Sequence, residues 1–407
     1  CMTNSLSASF AAYWSRRMQK TAYREAVYPA IVSMEEQATL KSGQTVHRPY
    51  RSTLYPRTYV RGTAVTIRDI TDTDETLTVT TAEIVPFYVD DLDALQHNYK
   101  VLNEYADDAM TVLGNFIDGD ILGEDDQANS VVDDLAINAG TSGNGFTLST
   151  ANVLAVFTQS KKKLKKQHIT MNNLAAVISP EFEAVLMTFL SNKESALGDS
   201  TGMNGNIGKY MGFELYVSDS LTFSADLQLA TIPVAGDTVT INGVVATARA
   251  NNAAAVAGDF AISTTAALAQ ANLLALLNNS SSYAAGAGLA ATYFEFSAAN
   301  RDLLIGLVAS SASTTLSIKF EGIGAVTVSE TLTPAANIWT AAKQVQHNLF
   351  FRKGFCDLVI QKRPNVEVKE VPDKLGKNIL PWTLYGKKTF LEGRRELVDV
   401  AIRADQF

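Results

Sequence analysis

Leu92, Leu95, Tyr99, Leu102, Ala106, Ala109, Leu113 and Ile117 follow one another at spacings of three or four. Side chains so spaced lie on one face of an α-helix. The stripe runs for about seven turns, and burying it contributes on the order of 10–15 kcal/mol gross. A chain that carries it has to fold around a long amphipathic helix and supply a surface to cover it. Asp90 and Asp91 stand where an N-cap and first-turn acids belong, so the predicted helix spans 90–118.

Before the helix the period changes. "TAVTIRDI" and "ETLTVTTAEI" alternate apolar and polar residues, with Val65, Ile67, Leu77 and Val79 on one side and the turn residues "TDTDE" between them. Together they predict a long two-stranded hairpin within 45–85. "HRPYRSTLYPRTYVR" precedes it, with Arg48, Arg51, Arg57 and Arg61 among tyrosines. Alone in water such a hairpin is marginal. Arginines on one limb and Asp69 near Arg68 on the other suggest docking onto another subunit. Residues 6–40 read as a helix-rich arm in which Trp14 and Arg17 belong to a mixed aromatic and basic set.

After the helix, "STANVLAVFTQSKKKLKKQHI" predicts a helix capped by Ser149 or Thr150 and ending in Lys161, Lys162, Lys163, Lys165 and Lys166. "LAAVISP" predicts a buried strand, and Pro180 opens a further helix, "PEFEAVLMTFL". A Gly-rich loop then leads to the strand "FELYVS". Residues 231–340 are different in kind, with three basic residues and six acids. "GDTVTINGVVATA" predicts a hairpin turning at Asn242-Gly243, and "TTAALAQANLLALLNN" a helix capped by Ser263 or Thr264. "ATYFEFSA", "DLLIGLVAS", "TTLSIKFEG" and "GAVTVSETL" read as strands. From 341 the charge returns, in strands with charged outer faces. The neutral segment is therefore read as a self-contained β-rich insertion, and the charge-rich parts on either side as one unit.

The totals limit the functions open to it. With 407 residues and 46% hydrophobic content the chain is long enough for two or three domains. A net charge of −8 is the wrong sign for a protein whose main task is to grip nucleic acid, although local basic patches allow weak contact. No apolar run is long enough for a membrane helix, and the N-terminus lacks a signal-peptide pattern. Cys1 and Cys356 are the two cysteines and form neither a disulfide framework nor a zinc spacing, which suits a reducing compartment.

Catalytic constellations are not legible. His47, His97, His168 and His347 are scattered and form no paired-ligand spacing. "DGDILGEDDQAN" begins like a calcium loop at Asp118, but Leu122 and Asn129 replace two of the required ligands. "GMNGNIG" lacks the order of a phosphate loop. No nucleophile elbow appears. The lysine run at 161–166 complements the helix dipole and is also a candidate surface for nucleic acid or an acidic partner. Neither an enzymatic activity nor a cofactor or metal is expected.

The order of elements is arm, long hairpin, long helix, mixed α/β region, insertion and returning strands. It resembles the major capsid proteins of tailed bacteriophages, an α+β architecture called the HK97-like fold. "AEIVPFYVDDLDALQ" looks like that family's junction between extended loop and spine helix. "AAVISPEFEAVL" with "NGNIGKYMGFELYVSDSL" looks like its apical passage. "HNLFFRKGFCDLVIQKRPNVEV" and "LYGKKTFLEGRRELVDVAI" look like its closing segments. The likeness covers about 1–220 and 340–407.

The resemblance implies an N-terminal arm (1–44), an extended loop (45–85) and a spine helix with peripheral domain (86–148). It implies the first part of an apical domain (149–222), an inserted β-rich domain (223–340) and closing strands (341–407). It further implies self-assembly into an icosahedral shell around double-stranded DNA. Identical subunits would be the main partners, with portal and scaffolding proteins and weak DNA contact besides. Assembly would take place in the cytoplasm of a bacterial host, and the product would be a virion capsid with no membrane. Trp14, Arg17, Arg48, Arg51, Arg57, Arg61, Arg68 and Asp69 become candidates for contacts between subunits, and Lys161–Lys163, Lys165 and Lys166 for facing nucleic acid. An encapsulin-like compartment shell and a phage tail or adhesin protein are the alternatives. The latter leaves the long helix unexplained.

Overall fold

The computed structural model describes residues 24–404 except 41–42, 52, 66, 68, 91–100, 192–206, 251–255, 279–294, 313, 323–325 and 371–375. Trp14, Arg17, Arg68 and His97 lie outside the described residues, as do most of the predicted arm and the first turns of the predicted long helix.

A single turn, α1 (Tyr28–Ile31), precedes the hairpin. The hairpin's stem is β1 (Thr45–Tyr50) against β2 (Thr73–Thr78), with Thr45 opposite Thr78 and Tyr50 opposite Thr73. This corrects the expected pairing. The described residues of "TAVTIRDI" (63–65, 67, 69 and 70) are not strand and follow β1 as loop. Leu77 and Val79 are buried, whereas Val65 and Ile67 are exposed. Alternation alone does not make a strand when neither face has anything to pack on. β3 (Thr81–Ile84) and β4 (Phe87–Asp90) follow. Asp90 ends β4 opposite Gly376, and Asp91, the other expected cap residue, lies outside the described residues.

The long helix, α2, is observed from Val101 to Leu122. Ala106, Ala109, Leu113 and Ile117 of the predicted stripe are buried, and the stripe continues into Ile121 and Leu122. There it packs against Leu349, Phe351 and Tyr385. β5 (Ser130–Val132) and α3 (Asp134–Asn138) lead to α4 (Val153–Lys166). Asn152, not Ser149 or Thr150, holds the N-cap position of α4. Its Oδ1 accepts from the Ser149 N–H at 2.8 Å and its Nδ2 donates to the Thr147 carbonyl at 2.7 Å. β6 (Leu174–Ile178) is buried throughout, and α5 (Pro180–Ser191) starts at the predicted proline. β7 (Lys209–Tyr210) and β8 (Phe213–Val217) close this part, with β8 parallel to β6 across the α5 crossover. Phe157, Phe182, Phe213 and Phe350 fill the core here. Phe157 and Phe213 meet Phe350 nearly edge-on, at centroid distances of 5.2 and 5.3 Å.

The neutral segment begins with β9 (Phe223–Leu229). β10 (Thr238–Ile241) and β11 (Val244–Arg249) form the predicted hairpin, with Asn242 and Gly243 at φ 50° and 78° as its turn demands. β12 (Asp259–Ala261) precedes α6 (Ala266–Leu277). The cap of α6 is Thr265, one residue past the expected pair, and its hydroxyl accepts from the Leu268 N–H. A short helix, α7 (Ala298–Asp302), stands where the end of "ATYFEFSA" reads as strand, because the Ser297 side chain caps it. β13 (Leu307–Ala312), β14 (Thr315–Phe320), β15 (Val328–Glu330) and β16 (Asn337–Trp339) complete the segment. The chain then returns through β17 (Val345–Arg352), β18 (Asp357–Glu370), β19 (Gly376–Lys388), α8 (Leu391–Glu396) and β20 (Leu397–Arg403).

β17 organises the molecule. It sits in a ten-stranded sheet of order β13-β14-β9-β17-β6-β8-β7, with β20 also paired to it, β5 beside β20 and β16 beside β9. The neutral segment has its own core, including Leu227, Val239, Phe260, Leu273 and Leu316. It is not self-contained, however, because β9 pairs with β17 at Ser224–Val345 and extends the main sheet. The expected charged outer face also fails for β17 and β20, which are buried almost throughout and hold Asn348 and Asp399 inside. β18 and β19 form a separate long ribbon flanked by β3 and β4.

Candidate functional site

Three features carry the chemistry of the surface and of the junctions. The first is the limb that β1 and β2 project. Its base is pinned from within the chain. Leu77 and Val79 pack against Leu40, Val359 and Phe390. The Arg48 guanidinium lies 2.6 Å from Asp357 Oδ2 and 4.9 Å from the centre of the Phe390 ring. Burial pushes the Asp357 carboxyl up, a Ser33 hydrogen bond and the Arg48 charge working against it. Glu75 accepts from the Leu391 N–H at 2.8 Å. Arg48 is thus already engaged inside its own chain.

Beyond the stem the loop is apolar and exposed. Leu54, Tyr59, Val60, Val65 and Ile70 are all exposed, and Ile67 by 89%. Arg51, Arg57, Arg61 and Asp69 are exposed among them. A run of large side chains thus stands in water on a base held by the Arg48–Asp357 ion pair and a small core.

The second feature is a buried polar junction that the sequence did not reveal. His347 on β17 lies with Nδ1 2.9 Å from Asp399 Oδ2 on β20 and 3.6 Å from Asp125 Oδ2, just past the end of α2. Its Nε2 is 2.8 Å from the Ser224 hydroxyl on β9. Lys319 on β14 reaches Asp125 at 3.0 Å and Glu321 at 3.4 Å, and donates to the Gly123 carbonyl at 3.0 Å. Nearby, Lys387 joins Asp120 at 2.8 Å and Glu124 at 2.9 Å, and the Tyr385 hydroxyl donates to Asp120. Burial opposes charge on the His347 ring, but the Asp399 and Asp125 carboxylates outweigh it and hold its pKa up at about 9. Burial pushes the Asp399 carboxyl up while the imidazolium pulls it back. The acidic stretch 118–129 is therefore an ion-pair hub, and Asp118 accepts the backbone N–H groups of Val27 and Tyr28 at 2.8 and 2.7 Å.

Ser224, His347 and Asp399 have the connectivity of a hydrolytic triad, and their surroundings argue against that use. A general base has to be unprotonated at working pH, whereas His347 faces two carboxylates and carries the proton. Ser224 sits mid-sheet, paired to Lys319 on one side and Val345 on the other, with no strained turn to present its oxygen. The arrangement is a charged clamp between strands. Cys356 is buried, and burial pushes its thiol up to about 12, which leaves it an inert thiol.

The third feature is the C-terminal end of α4. Lys161, Lys162, Lys165 and Lys166 line an open groove of about 420 Å³ with Thr158 and Met211. Lys161 donates to the Met211 carbonyl at 3.0 Å and Lys163 to the Val131 carbonyl. Burial lowers the Lys163 pKa below its ordinary value. Lys162, Lys165 and Lys166 are exposed. Among the described residues, no group of three or more His, Cys, Asp or Glu is placed to hold a metal ion. No described helix is long and apolar enough to cross a membrane.

No family model matches the sequence, and no curated protein does so either. The fold, by contrast, is found among solved structures. A structure from Mycobacterium phage Che8 superimposes with a TM-score of 0.58 at 13% identity, covering 96% of each chain. The capsid structure of cyanophage P-SCSP1u gives 0.56 at 10% identity, over 98% of this chain and 95% of that one. The cyanophage Pam1 capsid asymmetric unit gives 0.50 at 10% identity, over 98% and 97%. The chain shares an α+β, HK97-like architecture with these structures, two of which are phage capsids.

Proposed function

We propose that this chain, built on that architecture, is the major capsid protein of a tailed phage: a structural subunit that assembles in many copies into an icosahedral shell around double-stranded DNA. The observation that carries the reading is the agreement with the P-SCSP1u capsid over 98% of the chain, which leaves no large part in need of another role. The projecting limb supports it. Its stem is rigid and its loop is apolar, so the gain from burying Ile67 and its neighbours comes only on meeting another molecule. A shell closes when such heterologous contacts repeat with closing geometry, and weak contacts suffice because many act together.

On this reading Arg51, Arg57, Arg61 and Asp69 meet a neighbouring subunit, and Arg48 acts indirectly by fixing the base of the limb. Residues 223–340 are an insertion fused through β9 onto the sheet of the apical and closing segments. The protein has no catalytic step, and the buried clamp keeps the fused parts in register. Portal and scaffolding proteins and the packaged genome are its further partners, and the virion capsid is its location.

Electron microscopy of the full-length protein, expressed alone and with a scaffolding partner, tests the proposal. Closed shells of uniform diameter that hold double-stranded DNA in the virion are the expected result. Closed shells that hold protein cargo instead would select the encapsulin-like alternative. Tubes, fibres or stable monomers would overturn a shell-forming role.

A further inference from the structure

The five lysines at the end of α4 divide into two tethers and three exposed cations, roles that the sequence does not separate. Lys161 and Lys163 are tethers, their ammonium groups spent on the Met211 and Val131 carbonyls. Lys162, Lys165 and Lys166 stay exposed, and their spacing of three and four places them on one helix face. Among the described residues no carboxylate lies within ion-pair distance of any of these three, while Lys319, Lys353 and Lys387 all have such partners. In a chain with a net charge of −8 this is a local surplus of positive charge beside an open groove.

We infer that Lys162, Lys165 and Lys166 form a sequence-neutral binding groove for the phosphodiester backbone of duplex nucleic acid. Lysine is a point charge without the planar fork that arginine uses to read carboxylates or guanine edges. Thr158 and Met211 add no base-reading pattern. Three closely spaced cations match a polyanion that carries one charge per ~1.7 Å of helix axis. An acidic peptide has a lower and irregular charge density. The inference does not depend on shell formation, since it concerns the face of one subunit.

The test is the binding of a labelled 20-base-pair duplex to the full-length subunit by fluorescence anisotropy, across a series of salt concentrations. Non-specific binding of this kind has Kd values of about 10⁻⁴–10⁻⁶ M and weakens steeply with salt. The K162Q/K165Q/K166Q variant is expected to flatten the slope of log K against log salt by about three, or about one per lysine. Duplexes of different sequence are expected to bind alike. K162R/K165R/K166R, which keeps the charge, is expected to restore binding and thereby separates charge from folding. The K161Q change is expected to lower the melting temperature while leaving the slope unaltered. An unchanged slope in the triple Gln variant overturns the inference. So does preferential binding of a polyglutamate chain over the duplex, which would reassign the groove to an acidic protein partner. Either outcome leaves the shell assay unaffected, so the two proposals fail separately.

Discussion

His347 Nδ1 stands 2.9 Å from Asp399 Oδ2 across the β17–β20 pair, and the same ring reaches Ser224 on β9 through Nε2 at 2.8 Å. One imidazolium thus joins the neutral segment to the closing strands. Its folded pKa of about 9 is above the ordinary 6.5, so the proton stabilises the fold. The stabilisation is complete below about pH 6.5 and is lost as pH rises through about 9. Its upper limit is about 3 kcal/mol. The Lys319 charge and the Asp125 carboxylate beside the ring belong to the same junction. Thermal unfolding of the unassembled subunit is expected to show a plateau below pH 6.5 and a fall towards pH 9.5. His347→Gln should lower the plateau and flatten that fall. An unchanged fall in the variant would place the sensitivity elsewhere.

Ser224 is expected to be chemically silent. A fluorophosphonate probe at pH 7–8 should leave it unlabelled, since the neighbouring imidazole is already protonated. Ser224→Ala should cost about 1 kcal/mol for the lost hydrogen bond and should leave any shell intact. Labelling that disappears in Ser224→Ala would overturn the assignment of this cluster as a clamp.

How far the sequence announced these features depends on where each signal came from. The stripe from Ala106 to Ile117 and the Asn242-Gly243 turn are local codes, and the structure follows them. The junction is not local. Its members come from positions 125, 224, 319, 347 and 399, and each looks ordinary in its own stretch. The one hint is the lone Asp399 within "LVDVAI", an acid in a run that otherwise reads as interior. The expected strand at 63–70 fails, at its described residues, for the opposite reason. Alternation is present, but Val65, Ile67 and Ile70 are exposed and find no partner surface among the described residues.

The projecting limb separates stability from assembly. Leu77 is fully buried at the stem, so Leu77→Ala should destabilise the subunit by about 2–4 kcal/mol. Ile67 touches little of its own chain, so Ile67→Ser should change subunit stability by less than about 0.5 kcal/mol while sharply lowering the yield of closed shells. Denaturant melts and sedimentation of assembly reactions read the two effects. Normal assembly by Ile67→Ser would remove the loop from the subunit contacts.

Two glycines of α2 make opposite predictions. A Cβ on Gly119 would stand 2.5 Å from the Gly322 Cα, at the end of β14, where helix and neutral segment meet backbone to backbone. The atoms met there are backbone, so one of the two segments has to shift to admit the methyl. Gly119→Ala should therefore cost about 1–3 kcal/mol. Gly114 meets nothing within 4 Å. Gly114→Ala adds only helix propensity, so it should stabilise the subunit by about 0.5–1 kcal/mol. Urea midpoints that move in opposite directions would confirm that the spine helix is anchored by its C-terminal end. A neutral Gly119→Ala would mean that the neutral segment rests on the helix less closely than the 2.5 Å approach demands.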